Sequence, residues 1–305
     1  MGDWPAIGEP ELLARLAMSD EKFTELAMGW AQAVPAREFS EKLYERALGY
    51  PWARPAASFL LSGEQVQAFD EVPAEVREEV LLGLGGGEVE RFPLLSFGSN
   101  GSPENLMLKF SELPESERRV LVTSGDLHDF DVGAAAMPTF YGSLPGTIFP
   151  SPGTAVRASL LWVTTAQLVV LTWSEISYRF GRLEGVRFEP DKSDAPAVEN
   201  VYAFVSRWGA HCVDGEVVAM QAVPASGRVA PALTQEQLLD QVAEAVFGGA
   251  AKARDLVTRV MEDFGTAATT IGPVLRETAR PFQSDRWTPF PAPAESGLMQ
   301  SPNAP

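Results

Sequence analysis

The chain has 305 residues, of which 45% are hydrophobic and 21% charged, enough for roughly two domains, or one domain with additions, around a buried core. Its formal net charge of −17 argues against DNA, RNA or an anionic membrane surface as partner, because each requires clustered Lys and Arg. A single cysteine, Cys212, excludes an internal disulfide and a cysteine-based zinc site.

The N-terminus, MGDWPAIGEPELLARL, has no basic segment followed by an apolar core, and Ala6 stands where a myristoylation signal wants Ser or Thr. No segment has the length of a bilayer span, so a cytoplasmic protein is expected. Residues 1–92 read as helical. EPELLARLAM and DEKFTELAMGWAQAV place apolar residues at three- and four-residue spacings behind acidic first turns. SEKLYERALG opens on a capping Ser40 and stops at Gly49, and PAEVREEVLLGL opens at Pro73. The glycines Gly85 to Gly87 lack the Lys-Ser/Thr of a phosphate loop and read as a linker.

From residue 93 the pattern changes. FPLLSF, RVLVTS, TAVRASLLWVT, QLVVLTW and NVYAFVSR are short, apolar and rich in β-branched and aromatic residues, as strands of a buried sheet or small barrel should be. The stretch TTAQLVVLTWSEISY is ambiguous, since Thr165 could cap a short helix carrying Leu168, Leu171 and Glu175. Residues 231–280 return to helix in TQEQLLDQVAEAVFGG and AAKARDLVTRVMEDFG. The tail, 281–305, is rich in Pro and Ser and reads as extended or disordered. The four expected segments are thus 1–92, 93–230, 231–280 and 281–305. The helical ends are packing partners, an interface for a homo-oligomer, or both.

Two stretches carry candidate chemistry. A strand that ends in Gly98-Ser99-Asn100 can turn successive N–H groups into one concavity and hold an anion. Gly98 permits close approach of the backbone, while Ser99 and Asn100 add side-chain donors. Alone, this tetrapeptide reads as an ordinary strand-ending turn. The second stretch, GTIFPSPGTAVRASLLWVTTAQLVVLTWSEISY, ends on a lone carboxylate, Glu175, beside Trp173.

Together the two stretches resemble the γ-glutamylcyclotransferase family. Phe97-Gly98-Ser99-Asn100 is similar to its first motif, a Tyr-Gly-Ser-Asn loop at the end of a strand. Thr147-Ile148, Ser151-Pro152-Gly153, Val156 and Trp162 match its second, and Leu168, Leu171 and Glu175 follow in step without gaps. LHDFDV, Leu127 to Val132, looks like the strand between the motifs, and Tyr202 falls in a later strand. The resemblance covers roughly residues 93–222, under half of the chain. Phe97 replaces the family's usual Tyr and so lacks a hydroxyl. Ala158 stands where Gly is common, with Arg157 facing solvent or substrate. YGSL, Tyr141 to Leu144, falls just before the second-motif strand and reads as a hairpin segment.

The resemblance implies an α+β fold, a γ-glutamylcyclotransferase-like mixed β-barrel flanked by N- and C-terminal helical regions. It implies an enzyme whose small-molecule substrate is a γ-glutamyl amide. The substrate's α-amino group attacks its own γ-carbonyl, closing 5-oxoproline and releasing an amine, without metal or cofactor. Glu175 is the implied general acid and base, in an aromatic setting formed by Trp173 and Tyr178. Phe97, Gly98, Ser99, Asn100 and Gly101 are the implied substrate-binding residues, with the Gly98 to Asn100 N–H groups offsetting the oxyanion. Two further readings stand beside this one: a binding protein that keeps the pocket without turnover, and an amide transferase or hydrolase for a larger natural-product or protein substrate.

Other constellations are thinner. No G-x-S-x-G elbow surrounds Ser99, and only His128 and His211 could serve a serine nucleophile. Asp126, His128, Asp129 and Asp131 are conceivable metal ligands, but strand alternation sends neighbours to opposite faces. Cys212 beside His211 reads as a small buried hydrophobe rather than a nucleophile.

Overall fold

The structure, a computed structural model, describes residues 4–82, 89–192 and 195–290. The N-terminal part starts with three helices, α1 (Pro10–Leu16), α2 (Asp20–Ala33) and α3 (Glu41–Leu48). Ser19 and Ser40 cap α2 and α3 by accepting the Lys22 and Leu43 N–H groups, which satisfies donors that have no partner inside a first turn.

The region expected to be helical also holds a hairpin of β1 (Phe59–Ser62) and β2 (Gln65–Ala68), turned at Gly63 with φ +60. Its FLLS run pairs with the main sheet, an outcome that a helix-only reading of residues 1–92 misses. Helix α4 (Ala74–Leu82) follows. The glycines of the expected linker lie outside the described residues.

The central sheet is built from β3 (Phe92–Ser96), β4 (Arg119–Ala134), β5 (Gly146–Val163), β6 (Tyr178–Pro190) and β7 (Val198–Ser206). Between them lie α5 (Pro103–Lys109) and α6 (Thr165–Ser174). The pairs β4–β5, β5–β3, β3–β7, β7–β6 and β6–β4 close these five strands into a ring. Only β3–β7 is parallel; the other pairs are antiparallel, so the barrel is mixed. The chain is thus an α+β protein with a closed barrel. Trp162 is fully buried in it, and its indole N–H donates to Thr123 Oγ1 at 3.0 Å, so the ring's one polar group is satisfied.

QLVVLTW, one of the runs read as a strand, is instead the body of α6. Thr164, rather than Thr165, is the cap, and Gln167 completes a reciprocal capping box with it. That box, with Leu168 and Leu171 buried one turn apart, outweighs the β propensity of Val169 and Val170.

Short strands β8 (Cys212–Val213), β9 (Glu216–Val217), β10 (Ala219–Met220), β11 (Ala225–Ser226) and β12 (Ala232–Leu233) lead to α7 (Gln235–Phe247), α8 (Ala253–Glu262) and α9 (Phe264–Thr278). The chain breaks between α8 and α9 at Asp263, whose side chain accepts the Thr266 N–H and caps α9. Helix α9 packs against α2, bringing the two ends of the chain together. Beyond α9 the described part of the tail is ordered by pairing: β13 (Trp287–Pro289) lies antiparallel to β6, and Phe290 packs on Trp4 and Phe180. Among the described residues no helix is long and apolar enough to cross a membrane.

Candidate functional site

Strand β3 delivers Phe97 and Gly98 to one end of the barrel, where the chain makes a tight turn over Ser99–Gly101 before α5. The turn is held by Gly101 N–H to Gly98 O at 3.2 Å and Ser102 N–H to Ser99 O at 3.0 Å. Asn105 Nδ2 adds a bond to Ser99 O at 3.1 Å. Helix α6 ends opposite this turn, with the Glu175 N–H closing its last bond onto Leu171 O at 2.9 Å.

The turn and the helix end meet through side chains. Asn100 Nδ2 donates to Glu175 Oε1 at 3.0 Å, and Lys109 Nζ reaches the same oxygen at 3.1 Å. Lys109 also donates to Asn100 Oδ1 at 2.5 Å and to Ser174 Oγ at 2.8 Å, so its three protons are all engaged. Among the described residues nothing donates to Glu175 Oε2. One carboxylate oxygen is therefore pinned, and the other is open to a ligand.

Three tyrosines surround this carboxylate. Tyr50, just after α3, accepts the Gly146 N–H at its hydroxyl oxygen at 2.9 Å, while Tyr178 donates its hydroxyl proton to Gly146 O at 2.9 Å. Both phenols thus hold opposite sides of one residue at the start of β5. Tyr141 joins them from the connection between β4 and β5, against the Trp52 ring at 5.2 Å. Burial pushes the Tyr50 hydroxyl up to about 12, outweighing the amides that point at its oxygen. Burial likewise raises Tyr141 and Tyr178, with nearby Glu175 adding to the shift. All three keep their protons at neutral pH.

These groups line one end of a cavity of about 610 Å³. Its other end runs between α2 and α9, past Phe23, Ala27, Ala31, Phe264 and Ala268. Trp30 and Phe140 line it too and remain partly exposed, 38% and 50%. The space is of the size that takes a small organic molecule.

The structure brings Glu175, Phe97, Gly98, Ser99 and Asn100 together on this cavity. Gly101 is not on its wall; it is buried against Arg54, whose Cδ would stand 3.0 Å from an added β-carbon. Of the expected aromatic setting, Tyr178 faces the cavity. Trp173 does not: its indole N–H reaches Glu9 Oε2 at 2.7 Å on the far side of α6. Ala158 is buried opposite Gly125 on β4, away from the cavity. Arg157 is held by Asp191 and Asp126 and by Ala56 O at 2.8 Å, which ties strands together and leaves no role toward the cavity.

The four residues of DLHDFD are dispersed. Asp126 faces Arg157, His128 meets Glu189 at 3.1 Å, Asp129 accepts the Gly153 N–H, and Asp131 is bound by Arg228 through two bonds of 2.8 Å. Cys212 is buried, which raises its thiol, and among the described residues neither ring nitrogen of His211 has a partner, so the two form no nucleophile–base pair.

Sequence reasoning misses Tyr50, Lys109 and Tyr141. YGSL does lie in the connection between β4 and β5, as a hairpin segment should, yet it also delivers Tyr141 to the cavity. Lys109 carries a faint signal, since it stands in the last turn of the helix that the Asn100 loop opens. Tyr50 carries none, being 96 residues from its Gly146 partner.

No family model matches the chain, and no curated protein matches it in sequence. Among solved structures, one described as a gamma-glutamyl cyclotransferase aligns with 38% of this chain and 67% of its own, at 17% identity and a TM-score of 0.29. That likeness is too slight to bear on the chemistry, which is argued below from the residues of the site.

Proposed function

We propose that this cavity cleaves a γ-glutamyl amide by intramolecular cyclisation, yielding 5-oxoproline and a free amine. The observation that carries this reading is the Glu175 carboxylate, held through Oε1 by Asn100 and Lys109 with Oε2 open on the cavity wall. The substrate's α-ammonium cannot attack until it loses a proton, and Oε2 of Glu175 takes it. The freed nitrogen bonds to the γ-carbon in the same molecule, so positioning supplies much of the rate. As the bond from that carbon to the amine breaks, Glu175 returns the proton to the departing nitrogen. The second proton of the former ammonium follows, leaving a lactam N–H and an alkylammonium.

The end of the cavity formed by Phe97 to Asn100 takes the glutamyl part. The arm between α2 and α9, apolar apart from Arg276, takes the substituent on the amine, which favours an apolar or aromatic leaving group over a polyamine. The test is 5-oxoproline release from a panel of γ-glutamyl amides, by wild type and by Glu175→Gln. Release that disappears in a folded E175Q variant supports the assignment; release that survives removes Glu175 from the mechanism.

A further inference from the structure

The hydroxyl of Tyr50 sits against Gly98 of the site loop. It lies 2.7 Å from where a β-carbon on residue 98 would stand, so only glycine leaves room for it. The Gly146 N–H donates to its oxygen at 2.9 Å. With the Gly146 amide on its oxygen, the phenol still has its O–H proton to give, and among the described residues that proton has no acceptor. Tyr50 is only 5% exposed, and its wall of the cavity is shared with Glu175. A buried donor without an acceptor is costly unless a ligand completes it.

We infer that the Tyr50 hydroxyl is the oxyanion donor of this site, with the Gly146 amide behind it. The inference rests on the cyclisation reading. When the substrate nitrogen bonds to the γ-carbon, the carbonyl electron pair moves onto oxygen, and the Tyr50 O–H meets it by hydrogen bonding without giving up its proton. The pair returns as the bond to the amine breaks. The Gly146 amide on the phenol oxygen polarises its O–H, so the start of β5 supports the oxyanion through Tyr50. The ring at Phe97 has no hydroxyl to offer, and the segment after α3 brings one in from outside the barrel. Tyr178 is the built-in contrast: its proton is already spent on Gly146 O.

The experiment compares Y50F with Y178F, since each removes one hydrogen bond to Gly146 and only the first removes an unspent donor. Folding of both is checked by circular dichroism and thermal unfolding. Y50F is expected to lose about 10²–10³-fold in kcat with KM raised by about tenfold at most, and Y178F much less. 5-Oxoproline, whose lactam carbonyl meets the same donor, is titrated calorimetrically and should bind Y50F roughly tenfold more weakly than wild type. Equal kcat losses in the two variants, or wild-type kcat and binding in folded Y50F, overturn the inference alone. A wild-type protein that neither binds 5-oxoproline nor releases it from any amide overturns the cyclisation reading and this inference with it.

Discussion

Lys109 Nζ stands 3.1 Å from Glu175 Oε1 and shares that oxygen with Asn100 Nδ2, so the turn after β3 and the end of α6 are joined at a single carboxylate oxygen. Both side chains are about one-fifth exposed, at 20% and 17%, which makes the contact a matter of aim more than of stability. Lys109→Met should leave the fold intact and release Glu175 to other rotamers. We expect kcat to fall by about tenfold or more with a smaller change in KM, because misplacing a reacting group costs rate before binding. Steady-state kinetics at saturating amide, beside a thermal melt, checks this.

The apolar arm predicts an order among substrates. Each methylene buried between α2 and α9 should add about 0.8 kcal/mol, or roughly fourfold in kcat/KM, until the arm is full. Ala268→Trp, which fills the arm near α2, should erase that gain for long alkyl amines and spare the smallest amides. A flat or inverted series, measured as kcat/KM against chain length, would contradict the placement of the amine.

Asp131 is fully buried, and Arg228 binds both of its oxygens, so this pair is structural. Arg228→Met removes the cation and strands the carboxylate in the barrel wall. Urea unfolding should show a loss of about 3–5 kcal/mol. A loss below ~1 kcal/mol would mean that Asp131 finds another partner.

How much of this was legible in the sequence differs by residue. Most of the barrel strands were, because of their apolar β-branched runs, and the meeting of Glu175 with the Asn100 loop was expected through the family resemblance alone. Helix α6 was half legible: its T-x-x-Q box stood in the sequence, but Val169 and Val170 pulled the reading toward a strand. The hairpin at Gly63 was hidden by the helical periodicity on either side of it. Tyr50 and Tyr141 were beyond local reading, since only closure of the barrel and packing of the helices bring their hydroxyls beside Glu175.

His211 contributes to the response to acid. Burial lowers it below its ordinary 6.5, and among the described residues neither ring nitrogen has a partner. The unfolded chain therefore binds a proton that the folded chain refuses once the pH drops below about 6.5. Its contribution is full above that value and is lost as the pH falls toward the lower folded value. His211→Phe, if it folds, should narrow the difference in Tm between about pH 8 and about pH 5. An unchanged difference would assign the acid sensitivity to other groups.

The central claim is that the nucleophile belongs to the substrate, and isotopic water tests it most directly. A γ-glutamyl amide is turned over in heavy-oxygen water and the glutamyl product is analysed by mass spectrometry. Cyclisation predicts 5-oxoproline with no label, formed in step with the free amine and absent with E175Q. Labelled glutamate in its place would show that water attacks the γ-carbonyl, and the cyclisation account would be wrong.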